Sequence, residues 1–250
     1  MPKIRLTDVE LFFRKKGTGP PLVLLHGLFM DSSLYYKIIN NLSKKYTVYA
    51  IDLPMKGKSS TPERYFNLQD IANSIIELFD KLKIKNPIIV GSSAGGGIAI
   101  IIASLGKAKK LILISPAGFK YLNSVMQLLK KMSIYIPIYA FIDNPILCFH
   151  FFFVGAKSLL RNLFNKNFWK LLSDVIDQDL EKELKLIKCP VELLWAKNDE
   201  IIPYRYSKKF LELVPHAILK IPKGHHNWSI LINKEIDKYY MTNSKNDNFK

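Results

Sequence analysis

Four short apolar runs, each set off from the next by a stretch of helical periodicity, constrain this chain more than any other feature. They are Pro21–His26, Thr47–Asp52, Pro87–Gly91 and Lys110–Ser115. A strand with one wet face alternates apolar and polar residues. These runs are almost continuously apolar, as parallel strands covered on both faces must be. Two further strands are expected at Pro190–Trp195 and Ala217–Ile221. Ahead of them all, Ile4 to Phe13 alternates, which predicts an antiparallel edge hairpin turning near Asp8.

The intervening helices have readable ends. Asn67 followed by Asp70 predicts an N-cap with a carboxylate returning to it. Leu68, Ile71, Ile75, Ile76, Phe79 and Leu82 then fall on one face. Ser32 is read as the cap of a helix that buries Leu34, Tyr35, Ile38, Ile39 and Leu42. A third helix is expected from about Ala94 to Leu105, with Gly106 as its stop. Strands alternating with helices imply an α/β fold, a mostly parallel twisted sheet with helices on both faces.

The alternation stops between Ser115 and Lys188. That stretch is rich in aromatic and long aliphatic residues, among them Tyr121, Leu128, Tyr139, Phe164 and Trp169. A helical insertion is the simplest account. Within it, Ile134 to Val154 is long enough to span a bilayer, but Pro137, Asp143, Asn144, Pro145 and His150 interrupt it. It is read as an apolar lid or surface patch. A last helix is expected at Asn233 to Tyr240, and Met241 to Lys250 reads as a frayed polar end.

Composition removes several classes. The chain has 250 residues, 48% of them hydrophobic, enough for one domain with a sizeable core and too many for disorder. Two cysteines, Cys148 and Cys189, cannot supply a disulfide framework or a Cys-rich zinc site, and both read as buried hydrophobes. The formal charge is +16, yet only five of the 37 basic residues are arginine, and no lysine run exceeds two. Arginine is the residue that forks onto phosphate and guanine, so the charge is read as a solvated lysine surface and nucleic acid is not expected as a partner. Peripheral contact with an anionic membrane is the one functional reading of the charge that stays open. The N-terminus lacks the apolar core and cleavage site of a signal peptide, so a cytoplasmic location is expected.

The chemistry starts at Gly91-Ser92-Ser93-Ala94-Gly95, a G-x-S-x-G between an apolar strand and an apolar helix. A serine at such a turn is thrust out at the top of the sheet, and glycines two residues either side avoid collision with strand and helix. A serine hydroxyl needs a base, and the base an orienting acid. Asp199 lies in a loop after a strand; His225 and His226 lie in the loop after the last one. Both loops open on the carboxyl edge of the sheet, where open α/β sheets place their sites. The N–H groups of Leu28, after His26-Gly27, and of Ala94, at a helix N-terminus, are the expected oxyanion donors. His26 is read as structural, Ser92 as a neighbour of the nucleophile, and His150 and His216 as outside the catalysis.

These residues resemble the α/β-hydrolase superfamily, in its form with a helical cap. The landmarks are Leu24-Leu25-His26-Gly27, Asp52-Leu53-Pro54, Val90 to Gly96, Leu193 to Asp199 and Ile221 to His226, in that order along nearly the whole chain. The resemblance implies a core of residues 1–116 and 188–250 with a helical cap at 117–187. It implies Ser93 as nucleophile, Asp199 as acid, and Leu28 and Ala94 as oxyanion donors. The family's Gly-His dipeptide points to His225. Its Pro-x-x-Gly-His spacing, counted from Pro222, points to His226. Spacing is preferred, because loop geometry follows it, and His225 is the alternate base. Two departures are Met55 where the family has glycine, and Ala196 where it has glycine before the acid loop.

The resulting expectation is a serine hydrolase that cleaves small carboxylic esters with an apolar acyl group through an acyl-enzyme, with no metal and no cofactor. Other chemistry on the same fold (C–C bond hydrolysis, acyl transfer or a lyase reaction) is the first alternative. A non-catalytic binding protein on a hydrolase scaffold is the second.

Overall fold

The computed structural model describes residues 2–227. Among the described residues, eight strands form one sheet: β1 (Lys3–Arg5), β2 (Glu10–Lys16), β3 (Pro21–Leu25), β4 (Thr47–Ile51), β5 (Ile88–Ser92), β6 (Lys110–Ile114), β7 (Val191–Leu194) and β8 (Ile218–Lys220). Their order is β1-β2-β4-β3-β5-β6-β7-β8. The expected edge hairpin is present: β1 pairs antiparallel with β2, and β2 runs on to pair antiparallel with β4. From β4 to β8 every pairing is parallel.

The continuous apolar runs are explained by two cores. Val23, Leu25, Ile89, Leu111, Leu113 and Leu193 point to one side, against α2 (Leu68–Leu82) and α3 (Ala94–Ser104). Their neighbours Leu22, Leu24, Val90, Ile112, Ile114 and Leu194 point to the other, against α1 (Tyr36–Leu42). Side chains alternate across a strand, so a strand between two cores is apolar on both faces; Glu192 of β7 is a buried exception, paired with Lys110 and Lys220. α3 is buried from Ala94 to Ala103 on every face, as a helix apolar all round must be.

The capping box on α2 forms as expected: Asn67 Oδ1 accepts from Asp70 N at 2.9 Å, and Asp70 Oδ2 accepts from Asn67 N at 3.0 Å. Gly106 stops α3 in the left-handed region, at φ 70°. The cap at Ser32 is a correction. Asp31, one residue earlier, accepts from Ser33 N at 2.8 Å and opens a 3-10 turn, Ser32–Tyr35, before α1. Ser32 is occupied elsewhere: its N–H donates to Asp52 Oδ1 at 2.7 Å, and its hydroxyl accepts from Arg14 Nε at 3.0 Å.

Between β6 and β7 lie four helices and no strand: α4 (Val125–Asp143), α5 (Pro145–Asn162), α6 (Lys166–Asp177) and α7 (Glu181–Leu186). α4 and α5 pack as a pair. Phe168, Leu171, Leu172 and Val175 of α6, and Leu184 of α7, join the core on the α2 and α3 side. α8 (Tyr206–Leu213) follows β7 and buries Phe210 on that side too. Cys148 and Cys189 are free and only half-buried, not the buried hydrophobes expected. No helix among the described residues is long and apolar enough to cross a membrane. The helix expected at Asn233 to Tyr240 and the tail at Met241 to Lys250 lie outside the described residues.

Candidate active site

Ser93 is the hinge between β5 and α3. Its backbone sits at φ 51°, ψ −119°, a region an L-residue occupies only when its surroundings hold it there. The holding groups are visible. Ser93 N donates to Ile114 O at 2.9 Å, and Ser93 O accepts from Gly96 N and Ala117 N, each at 2.9 Å. The glycines two residues away are required by space. A Cβ on Gly91 would lie 2.6 Å from Gly95 O, and one on Gly95 would lie 2.3 Å from Leu25 O. Ala94 begins α3, so its N–H has no acceptor within the helix.

The loop after β3 lies against this turn. A Cβ on Gly27 would meet Ser93 Cβ at 3.3 Å, so Leu28 follows directly at the serine. His26 pins the loop from behind, as the sequence implied. Its Nε2 accepts from Leu53 N at 3.0 Å, which leaves the proton on Nδ1 to donate to Gly27 O at 2.8 Å. Burial pulls the pKa of His26 below the ordinary histidine value, against the pull of Asp52, so the neutral form that this pattern needs is favoured. Asp52 in turn ties the next loop by accepting from Lys58 N at 2.9 Å. In that loop Met55 lies at φ 65°, the left-handed backbone that accounts for a glycine being usual there.

Asp199 and His226 meet across two loops. His226 Nδ1 lies 3.0 Å from Asp199 Oδ1 and 2.9 Å from Oδ2. A carboxylate can only accept, so Nδ1 carries the proton and Nε2 is left free to accept. Asp199 is aimed by its own turn: Oδ1 also accepts from Ile201 N at 3.0 Å and Ile202 N at 2.8 Å. Trp195 Nε1 donates to Ile202 O at 2.9 Å and braces that turn. Burial is the largest influence on His226 and lowers its pKa; Asp199 and, more weakly, Glu200 outweigh it, and the net shift is upward.

Ser93 and His226 line one small cavity, together with Leu28, Met30, Tyr121, Leu128, Met132, Ile201 and Asn227. Its volume is about 20 Å³, room for about one water molecule. Leu128 and Met132 come from α4, so the helical insertion forms part of the cavity wall. His225, the alternate base, is not among the lining residues. Its ring stacks on Tyr139 of α4 with centroids 3.4 Å apart, and its Nδ1 lies 3.2 Å from Asn198 O and 3.4 Å from Glu200 Oε2. Burial raises the pKa of Glu200. His150 lies near Ser33, and His216 near Cys189 O, both away from this cavity.

Several groups at or near the site were not singled out from the sequence. Met30 follows the end of β3 by five residues, a signal that was available. Lys56 gave none. It is 2% exposed, with no hydrogen-bond partner for Nζ, which sits 3.8 Å from the centre of the Phe168 ring and 5.5 Å from that of Phe29. Burial, with a smaller push from Arg161, takes its pKa down to about 7.

Residues 20–141 match a family model described as the alpha/beta hydrolase fold. AB hydrolase superfamily protein YisY of Bacillus subtilis is 29% identical over 84% of this chain and 87% of its own length. An esterase from Exiguobacterium antarcticum superposes with a TM-score of 0.80 at 18% identity, covering 94% of this chain and 95% of that one. The enol-lactonase from Burkholderia xenovorans LB400 also reaches 0.80 at 18% identity, over 96% of this chain and 100% of its own. The sheet order, the turn at Ser93 and these matches agree, and the chain has the α/β-hydrolase fold.

Proposed function

We propose that the protein is a serine hydrolase that cleaves carboxylic esters with an apolar acyl group. The observation that supports it most is the buried Asp199–His226 pair, whose histidine lines the same cavity as Ser93. His226 Nε2 takes the Ser93 proton as Oγ attacks the ester carbonyl. The carbonyl oxygen becomes an oxyanion held by the N–H groups of Leu28 and Ala94. His226 then gives its proton to the departing alcohol, and the C–O bond breaks to leave an acyl-Ser93. Water, deprotonated by His226, attacks that ester, and the acid leaves as Ser93 regains its proton. Asp199 holds the imidazole in the tautomer that puts the lone pair on Nε2 and stabilises the cation formed in each step.

Apolar specificity is supported by the walls, which Leu28, Met30, Leu128, Met132 and Ile201 supply. A cavity of about 20 Å³ cannot hold an acyl chain, so α4 must shift to admit one. The esterase and enol-lactonase share the fold at 18% identity; their names are in keeping with this reaction class.

The test is a fluorophosphonate probe together with p-nitrophenyl esters of graded acyl length. Wild type should label and turn over, favouring medium acyl chains. Ser93→Ala should lose labelling and at least about 10⁴-fold in kcat. Ester turnover that persists in Ser93→Ala would refute the reading.

A further inference from the structure

The α4–α5 pair carries an apolar surface that the proposed chemistry does not use. α4 exposes Ile134, Ile138 and Phe141, at 44%, 51% and 59%. α5 exposes Phe149, Phe152 and Phe153, at 73%, 63% and 67%. These are not scattered. Ile138, Phe141, Phe149 and Phe152 line one open groove between the two helices. On α5 the inward positions Leu147, Phe151 and Val154 already fill the core against α1, so the outward phenylalanines are a second apolar face. Farther along the chain Leu160 and Phe164 are exposed too, at 72% and 94%. An exposed patch of this extent marks a place of contact.

The charge around the patch selects the kind of contact. From Lys120 to Lys170 the chain holds six lysines and one arginine against a single acidic residue, Asp143. Lys130 on α4, Lys157 on α5 and Lys166 on α6 are all exposed. Arg161 is otherwise engaged, donating to Gly57 O and Ser59 O at 2.8 Å each. A second copy of the same chain would bring like charge against like. An anionic lipid surface would meet the lysines with phosphate and the phenylalanines with acyl chains. Spanning is not available to these helices, but lying in the interface is. We propose that the α4–α5 pair is an interfacial attachment site for anionic phospholipid membranes, with Phe149, Phe152 and Phe153 inserted and Lys130, Lys157 and Lys166 on the headgroups. α4 also supplies Leu128 and Met132 to the wall at Ser93, so attachment would bring the cavity to the lipid; that consequence rests on the proposed hydrolase, whereas the attachment does not.

The test is flotation of the full chain with vesicles of phosphatidylcholine alone or with 30% phosphatidylserine. The protein should float with the anionic vesicles at least about tenfold better than with the neutral ones, and added salt should weaken this. The triple variant Phe149→Ser, Phe152→Ser, Phe153→Ser should lose flotation while keeping the wild-type melting temperature, since all three side chains are exposed. Lys130→Glu, Lys157→Glu, Lys166→Glu should lose the anionic preference. Flotation is read without any ester, so a failed hydrolase assay leaves it intact. Absence of flotation would overturn the proposal, as would binding that survives both variants. So would a wild-type dimer in sedimentation that the phenylalanine variant dissociates in the absence of lipid binding.

Discussion

At the scale of the residue, two adjacent histidines separate by what each ring faces. His226 is buried against Asp199 and opens on the Ser93 cavity, whereas His225 lies flat on Tyr139. His226→Ala should therefore cost about 10³-fold or more in kcat, and His225→Ala less than about tenfold. Steady-state ester kinetics check this: equal losses would sink the preference for His226, and a larger loss in His225→Ala would reverse it. pH dependence follows from the same contact. Asp199 and Glu200 raise the pKa of His226 above its ordinary 6.5 despite burial, and in the proposed reaction only neutral imidazole can take the Ser93 proton. Activity, read as kcat/KM against pH, should rise through a pKa above 6.5 and then level. The effect on stability has the opposite sense: the folded state holds the proton more tightly, so the pair stabilises most below pH 6.5 and loses this as pH rises through the folded pKa. Both histidines could be seen in the sequence, and spacing favoured His226. The Tyr139 stack could not be seen, because 86 positions separate the two rings.

At the scale of the element, the turn from β5 into α3 carries the most local information. Strand, G-x-S-x-G and apolar helix are consecutive in the chain, so a short window determines them. The reason for the glycines nevertheless lies on a different strand. The Cβ of an alanine at 95 would approach Leu25 O at 2.3 Å and His26 O at 2.6 Å. Both are backbone atoms at the end of β3 and cannot rotate away, so α3 and β3 would have to part. Gly95→Ala should cost about 1–3 kcal/mol by urea unfolding and should slow fluorophosphonate labelling, because the same movement separates Leu28 from Ala94. Unchanged labelling would mean that the loop adjusts without loss. The capping box at Asn67 was legible because both partners lie within three residues. The cap expected at Ser32 falls instead to Asp31, which competes for the same turn, while the Ser32 hydroxyl accepts from Arg14 of β2, 18 positions away.

At the scale of the whole molecule, Lys56 joins three parts of the chain. Its amine lies between Phe29 after β3 and Phe168 of α6, and Arg161 of α5 pushes on it. The unfolded chain would bind this proton up to about 10.5, and the folded chain only up to about 7. Stability should therefore rise with pH between those values, since the unfolded state holds more protons there. Lys56→Met should remove that slope and stabilise the protein by roughly 1–3 kcal/mol at pH 7. Urea unfolding of both proteins at pH 7 and pH 9.5 measures it, and a slope that persists in the variant would assign the titration to another group. Lysine is seldom buried without a partner, so no reading of the sequence alone would have placed Lys56 there.

The sequence by itself determined the mostly parallel sheet with its antiparallel edge hairpin, the strand-to-helix turn at Ser93, and the two loops that carry Asp199 and His226. Each rests on periodicity or on residues a few positions apart, where backbone geometry leaves few choices. Only the tertiary structure decided which histidine faces Asp199, that α4 closes over Ser93, that Lys56 is buried, and that one face of α4 and α5 stays bare. Those depend on contacts between segments tens of residues apart, and packing decides them through which surfaces remain once the two cores are filled.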